Sequence, residues 1–131
     1  MHRKGDDNMI RMNNNIKRYC LAFDLVNDPL LIAAYENWHR AENGWPEVKE
    51  SICASGILQM GIYRTGNRLF MIIETENGFD FDLKAQQDIN HPKVQEWEKM
   101  MSQFQQPLPW ARDGEKWLLT KKIFQLLPAN S

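Results

Sequence analysis

The sequence has few of the residues on which several common kinds of binding site depend. It contains two cysteines and three histidines among 131 residues, and 16 lysines and arginines against 17 aspartates and glutamates. Two thiols without metal-ligand spacing form no disulfide framework and no zinc motif. Nearly balanced charge creates no field that would gather nucleic acid. We expect no metal, no other cofactor and no nucleic-acid partner; a zinc site from His39, His91 and carboxylates stays open, although no motif supports it.

Long apolar runs are also missing. No stretch approaches the roughly 20 apolar residues of a membrane span, and the N-terminus lacks the apolar core of a signal peptide. We therefore expect a cytoplasmic protein without a membrane partner, in which Cys20 and Cys53 are reduced thiols of the core. Residues 1–16 are polar and rich in asparagine, which predicts a disordered tail before a single domain over residues 17–131.

Glycine is absent where a nucleotide-binding loop would need it. The segment after the first predicted strand, residues 24–29, contains none, which argues against a dinucleotide or phosphate site. No serine stands in the sequence context of a nucleophile elbow. What remains is proton transfer by histidine, the side chain whose ordinary pKa lies nearest neutral pH.

Apolar periodicity predicts the first elements of secondary structure. A strand over Lys17–Leu25 alternates between two faces. A helix then begins at Asp28-Pro29, where a capping carboxylate precedes a proline at the first helical position. A second helix begins at Trp45-Pro46 and ends at Gly56, a residue suited to left-handed helix termination.

A hairpin and two further helical regions follow. The strands Leu58–Thr65 and Arg68–Thr75 flank a short turn that contains glycine. Helical patterns cover Phe79–Asn90 and the segment opened by Pro92. The segment Lys116–Leu127 is predicted to be the last strand.

The resulting order is β-α-β-β-α-β, the ferredoxin-like arrangement of an α+β fold. It predicts a four-stranded antiparallel sheet with helices on one face. The other face also carries apolar residues, and a bare apolar sheet face exceeds the patch that a monomer normally exposes. We therefore expect a homodimer in which a second copy covers this face.

Tyr35 and His39 are the first candidates for a functional site. They lie four residues apart on one face of a helix, and tryptophans nearby in the sequence supply flat apolar walls. A titratable ring beside a hydroxyl suits a small acid–base site that binds a sugar. The alternative is that His39 is hydrogen-bonded for structure and that Tyr35 is a core or interface aromatic.

Glu74 and Trp97 are further candidates. Glu74 ends an apolar strand and shares a face with Phe70 and Ile72, so its carboxylate must be solvated, paired or functional. We take it as a weaker candidate for a second proton-transferring group, while a solvated strand end explains it as well. Trp97 belongs to an apolar helical stripe, which favours a place in the core or in a pocket wall.

The chain resembles the L-rhamnose mutarotase family over nearly its whole ordered length. The order and spacing of several motifs carry this resemblance, and no single motif is specific. The motifs are Tyr35-x-x-x-His39, Trp45-Pro46-Glu47, Ser55-Gly56-Ile57, Ile62-Tyr63, Asn67-Arg68-Leu69-Phe70 leading to Glu74, and Trp97.

The resemblance implies a dimeric α/β barrel and an isomerase activity. Such an enzyme interconverts the α and β anomers of a free 6-deoxyhexose, L-rhamnose or L-fucose, without metal or organic cofactor. The family's general acid–base histidine falls on His39, its substrate-contacting tyrosine on Tyr35 and a substrate-binding tryptophan on Trp97.

The chain departs from the family pattern at three places. Met60 stands where the rhamnose enzymes carry a tyrosine, Glu98 stands where a second tryptophan is expected, and two extra residues lie between His39 and Trp45. We expect Met60 and Glu98 to contact the sugar in a reshaped site. The same fold also hosts cofactor-free monooxygenases, and a sugar-binding sensor without catalysis is a further alternative.

Overall fold

The computed structural model describes residues 16–127 of the chain. The predicted tail lies outside the described residues except for Ile16. No helix in the described range is both long and apolar enough to cross a bilayer. In chain order the elements are β1 (Lys17–Leu25), α1 (Pro29–Trp38), α2 (Pro46–Ala54), β2 (Ile57–Thr65), β3 (Arg68–Thr75), α3 (Phe81–Ile89), α4 (Pro92–Ser102), β4 (Gln105–Gln106) and β5 (Leu118–Leu119).

All these strands belong to one antiparallel sheet. Strand β3 lies between β2 and β1, and the order across the sheet is β2-β3-β1-β4, with β5 also paired to β1. In this register Ile73 of β3 is opposite Met60 of β2 and Tyr19 of β1. Helices α1 and α2 connect β1 to β2, and α3 and α4 connect β3 to β4. The order confirms the predicted ferredoxin-like α+β fold.

Local sequence signals set the ends of the first elements as predicted. Asp28 caps α1, because its Oδ1 accepts hydrogen bonds from the backbone N–H groups of Leu30 at 2.9 Å and Leu31 at 3.1 Å. Gly56 follows α2 with a φ of +96°, a conformation that side chains with a Cβ rarely adopt. The first signal fixes the start of the helix that carries Tyr35 and leads into His39, and the second fixes the end of α2.

The predicted final strand over Lys116–Leu127 is wrong in length. Only Leu118–Leu119 pairs with β1, and Thr120 adds a backbone hydrogen bond of 2.8 Å to the carbonyl oxygen of Cys20. Strand β4 pairs with the other end of the same edge of β1. Two short segments therefore share the fourth position of the sheet. Beyond Thr120 the described chain forms no further ladder with β1, so periodicity alone overestimates the strand.

The core lies between the helices and one face of the sheet. Helix α1 contributes Tyr35 to it, and α4 contributes Val94 and Met101. Full burial of such a side chain contributes about 1.5–3 kcal/mol, so the layer holds α1 and α4 firmly against the strands. The buried apolar strand residues of this face are Leu21, Phe23, Leu25, Ile57, Leu69 and Ile73.

The other face of the sheet is only partly covered in one chain. Tyr63 is 61% exposed, and Phe70 and Ile72 are half-buried. The chain from β5 onward adds further exposed apolar side chains. These are Leu119, Ile123, Phe124, Leu126 and Leu127.

Cys20 and Cys53 are free thiols, but the expectation that both are core residues is wrong. Cys53 is exposed and Cys20 is half-buried. The buried residue of α2 is Ser51, two positions before Cys53. Residues two apart on a helix point to nearly opposite sides, so burial of Ser51 turns Cys53 outward.

Replacing Asp28 with alanine should lower the free energy of unfolding by about 1 kcal/mol, because two N–H groups at the start of α1 lose their acceptor. Urea denaturation measures this difference. Asp113→Ala, in an exposed loop, is the control and should change stability by less than about 0.5 kcal/mol. Equal stability of the two variants would contradict the capping role of Asp28.

Candidate active site

His39 stands directly after α1 and has one ring nitrogen committed and one free. Its Nδ1 lies 2.8 Å from the carbonyl oxygen of Tyr35. Because a carbonyl oxygen only accepts, this contact assigns the proton to Nδ1. In the neutral ring Nε2 is then the unprotonated nitrogen, and it makes no hydrogen bond to any residue in the described range. His39 lines the main pocket, so this nitrogen is available as a base.

Aromatic rings surround the imidazole of His39. The ring centroid of Tyr35 lies 4.3 Å away and that of Trp97 lies 5.6 Å away. Trp97 in turn meets Trp45 at 5.2 Å and Trp38 at 6.3 Å, both with the ring edges involved. Helix α1, the segment before α2, and α4 therefore build one apolar wall, which restricts the imidazole and offers flat surfaces to a ligand.

The pocket has a volume of about 770 Å³ and lies between the helices and the sheet. This size falls within the roughly 300–1,000 Å³ that is usual for small-molecule sites. Five of the six predicted site residues line it. They come from α1, from the position directly after α1, from β2 and from α4. They are Tyr35, His39, Met60, Trp97 and Glu98.

Tyr35 is a neutral group of the pocket. Only 4% of the residue is exposed, and burial raises the pKa of its phenol to about 12, against a smaller opposite effect of a hydrogen bond with the Gln105 side chain. The phenol therefore keeps its proton at neutral pH. Its position suits it to hold His39 and to offer a hydrogen bond, and not to exchange protons.

Glu74 does not lie with His39 in one chain. Successive strand residues point to opposite faces, so Glu74 faces away from the pocket that its neighbour Ile73 lines. Its Oε2 accepts a hydrogen bond from Nε of Arg18 at 3.1 Å. Both residues line a separate cavity of about 390 Å³ on the other face of the sheet.

Part of the main pocket is charged. Helix α3 brings Lys84 and Asp88, α4 brings Glu98, and the segment before β5 brings Lys116. Lys84 Nζ and Asp88 Oδ2 are 2.7 Å apart. Burial raises the pKa of the Glu98 carboxyl, the charge of Asp88 raises it further, and Lys116 and Lys84 act in the opposite direction.

Sequence reasoning did not identify several lining residues. Lys84 and Asp88 stand four apart on a helix, a spacing that signals an ion pair but gives no sign that the pair lines a pocket. Gln105 and Lys116 had no sequence signal, because tertiary packing alone brings them to this site.

The zinc site left open by the sequence has no support in the described residues. His91 caps α4, where its Nδ1 accepts a hydrogen bond from the backbone N–H of Val94 at 3.3 Å. It does not line the pocket of His39. Within residues 16–127 no three side chains of histidine, cysteine, aspartate or glutamate are grouped as metal ligands.

Sequence comparison relates the chain to sugar mutarotases. Residues 18–126 match the family model for L-rhamnose mutarotase. The chain is 41% identical over 117 residues to the L-fucose mutarotase of Xanthomonas campestris pv. campestris, which covers 89% of this chain and 94% of that protein. It is 37% identical over 115 residues to a UPF0734 protein of Dictyostelium discoideum, which covers 84% and 90%.

Structure comparison gives two solved neighbours with the same fold. The crystal structure of an L-rhamnose mutarotase from Formosa agariphila superposes with a TM-score of 0.62 at 19% identity, over 85% of this chain and 99% of that one. Tetracenomycin F2 cyclase from Streptomyces glaucescens superposes with a TM-score of 0.54 at 19% identity, over 86% and 98%. At this identity the two neighbours bear on the fold only.

Tyr35→Phe should remove from an ultraviolet pH titration the phenolate transition near pH 12, because Tyr35 is the buried phenol whose pKa is raised to about 12. Tyr63→Phe is the matched control, since its ring is 61% exposed, and it should leave that transition in place.

The same substitution should change how stability depends on pH. The folded-state pKa of Tyr35 lies above its ordinary value of 10.0, so its contribution is complete below pH 10 and is lost as the pH rises to about 12. Tyr35→Phe should flatten the fall in unfolding free energy over this interval. An unchanged slope in chemical denaturation would show that the phenol is solvated.

Proposed function

The chain belongs to the L-rhamnose mutarotase family and is an isomerase that interconverts sugar anomers; we propose that its preferred substrate is L-fucose and that His39 transfers the proton. The choice of L-fucose rests on the 41% identity to a protein named L-fucose mutarotase. It also rests on Met60 and Glu98, which replace the phenol and the indole expected of rhamnose enzymes and so reshape the pocket.

The observation that carries the proposal is the free Nε2 of His39 at the wall of an aromatic pocket. The Tyr35 carbonyl holds Nδ1 at 2.8 Å, so the ring presents its basic nitrogen in a fixed orientation. Pyranose rings have apolar C–H faces, and the indole of Trp97 and the thioether of Met60 offer surfaces for them. A sugar bound there would have its hydroxyls near the polar groups of the same pocket.

Anomer exchange needs two coordinated proton transfers. Nε2 takes the proton from the anomeric hydroxyl, the C1–O1 bond becomes a carbonyl, and the C1–O5 bond breaks as the ring oxygen receives a proton from a second group. Rotation about C1–C2 followed by the reverse transfers closes the ring as the other anomer. Each positioned acid or base typically contributes ~10²–10⁴-fold. We propose no part in these steps for Glu74, which pairs with Arg18 on the other face.

We also propose that the protein is a homodimer. The partly covered sheet face contains Tyr63, Phe70 and Ile72, and the segment after β5 exposes four large apolar side chains. A second copy related by a twofold axis would cover both, as a self-complementary surface does. Such pairing would complete a barrel from two sheets.

The cytoplasm is the compartment that we propose for this activity. Cys20 and Cys53 are both free, and thiols persist in reducing compartments. Free 6-deoxyhexoses taken up by a cell would meet the enzyme there.

His39→Asn should reduce the acceleration of anomer exchange by about 10²-fold or more. Asparagine keeps a donor for the Tyr35 carbonyl and lacks the free Nε2, so the loss reports the base and not the fold. Saturation-transfer NMR on L-fucose and L-rhamnose measures the exchange, and the wild-type protein should accelerate L-fucose more.

His91→Asn is the control, because it removes an imidazole outside the pocket and keeps an acceptor for the Val94 N–H. Its exchange rate should equal that of the wild type. Full activity of His39→Asn would remove His39 from the mechanism. Tight sugar binding by a wild-type protein without faster exchange would favour a sensor.

For the wild-type protein, sedimentation equilibrium should give twice the 15.5 kDa mass of one chain. The Ile72→Asp variant should have the mass of a single chain, because its dimer would have to bury an unpaired carboxylate. Leu83→Asp makes the same chemical change at a residue of α3 that is 68% exposed, so it should leave the dimer intact. A monomeric wild-type protein at micromolar concentration would contradict the proposal.

A further inference from the structure

Glu98 occupies the sugar pocket on the same helix as Trp97, whose ring contacts His39. Trp97 and Glu98 are consecutive residues of α4 and both line the pocket. Glu98 is half-buried, and a carboxylate that leaves water needs opposing charges or hydrogen bonds. The residues around Glu98 therefore decide whether its carboxylate has a structural or a catalytic role.

The hydrogen bonds of Glu98 are few. Gln95 Nε2 lies 3.5 Å from Glu98 Oε1, at the limit of a hydrogen bond, and donates a shorter bond of 2.8 Å to the backbone carbonyl of Asp88. No lysine or arginine in the described range forms an ion pair with Glu98 within 4.0 Å. Its carboxyl group is thus held loosely enough to bind a ligand or to exchange a proton.

Asp88 is the nearest acidic neighbour in the charged part of the pocket. One of its oxygens pairs with Lys84 at 2.7 Å, whereas the other, Oδ1, is buried and has no hydrogen-bond partner among the described residues. A buried acceptor without a partner is destabilising. Such unpaired buried groups are rare in native proteins, and a hydroxyl of a bound ligand can supply the missing donor.

We propose that Glu98 is the second proton-transferring group of the sugar pocket, acting opposite His39 on the ring oxygen of the bound 6-deoxyhexose. The inference rests on the proposed function, because it supplies the group that the two-proton mechanism needs. Within one chain the other acidic candidate, Glu74, lies on the wrong face of the sheet. Tyr35 keeps its proton and Asp88 is tied to Lys84.

The charges around Glu98 support a carboxyl group that exchanges protons. Burial and the charge of Asp88 raise its pKa, and Lys116 and Lys84 limit the increase. A carboxyl positioned at a bound sugar can act as a general acid in one direction of the reaction and as a general base in the other. The charged groups near it are Lys84 and Asp88 of α3 and Lys116 of the segment before β5.

The proton balance is closed in each direction. In ring opening Nε2 of His39 gains the proton of the anomeric hydroxyl, the C1–O5 bond breaks, and the Glu98 carboxyl gives its proton to the ring oxygen. The intermediate pair is an imidazolium and a carboxylate. In ring closure the carboxylate takes the proton back as O5 attacks C1, and the imidazolium returns its proton to the former carbonyl oxygen. No other reactant is required.

Glu98→Gln tests the inference, because the amide keeps the size and hydrogen-bonding ability of the side chain and cannot transfer a proton. Exchange measured by saturation-transfer NMR across pH should fall by about 10²-fold or more in rate constant at saturating L-fucose. The bell-shaped wild-type profile should be reduced to a single titration, with little change in the sugar concentration for half-maximal rate.

Glu96→Gln is the matched control on the same helix. Glu96 pairs with Lys93 at 3.5 Å and its side chain is 58% exposed, so the variant should keep the wild-type rate and profile. Asp88→Asn should act through Glu98 as a positioning change. The substitution removes a negative charge near Glu98 and releases Lys84 from its ion pair, and both changes lower the pKa of Glu98. The part of the pH–rate profile that Glu98→Gln abolishes should therefore move to lower pH.

Three outcomes would overturn the assignment of Glu98. These are an unchanged rate and profile in Glu98→Gln, a change confined to the half-saturating sugar concentration, and an equal loss in Glu96→Gln. A wild-type protein without any acceleration on L-fucose or L-rhamnose would instead refute the proposed function. The two failures are therefore distinguishable in one set of measurements.

Discussion

The hydrogen bond between Tyr35 and His39 is the constraint on which the active site depends. The last carbonyls of a helix have no intrahelical partner, and the Tyr35 carbonyl at the end of α1 finds one in Nδ1 of His39 at 2.8 Å. One contact thus stabilises the helix end and selects the tautomer. Since Tyr35 is itself buried in the core, the orientation of the imidazole follows from the packing of α1 on the sheet.

Alternation along β3 then divides the chemistry between two surfaces. Met71 and Ile73 face the helices and line the main pocket, whereas Ile72 and Glu74 line the cavity on the other face. A carboxylate moved by one residue would change sides. This division is the basis for our proposals that acid–base chemistry takes place where helix and sheet meet and that the opposite face associates with a second copy.

Features of the fold that depend on local interactions were predicted correctly from the sequence. The cap at Asp28 and the left-handed Gly56 fixed element ends, and the apolar alternation identified the central strands. Long-range pairing was harder: the last strand depends on how much of the β1 edge β4 leaves free, which no local pattern records. Likewise, alternation placed Glu74 with Phe70 and Ile72, but only the packed helices reveal that this face lies away from His39.

At position 98 the sequence resemblance leads us to expect a tryptophan, and this chain has a glutamate. A tryptophan there would extend the apolar wall of Trp97, whereas Glu98 places an ionisable group in a half-buried site. Such a change is tolerated only if the site compensates for lost hydration, and Lys84 and Lys116 provide positive charge in the same pocket. The negative charge of Asp88 opposes these two positive charges, so the compensation for Glu98 is incomplete. The balance that results is weak as a structural ion pair and well suited to a group that must bind and release a proton in every cycle.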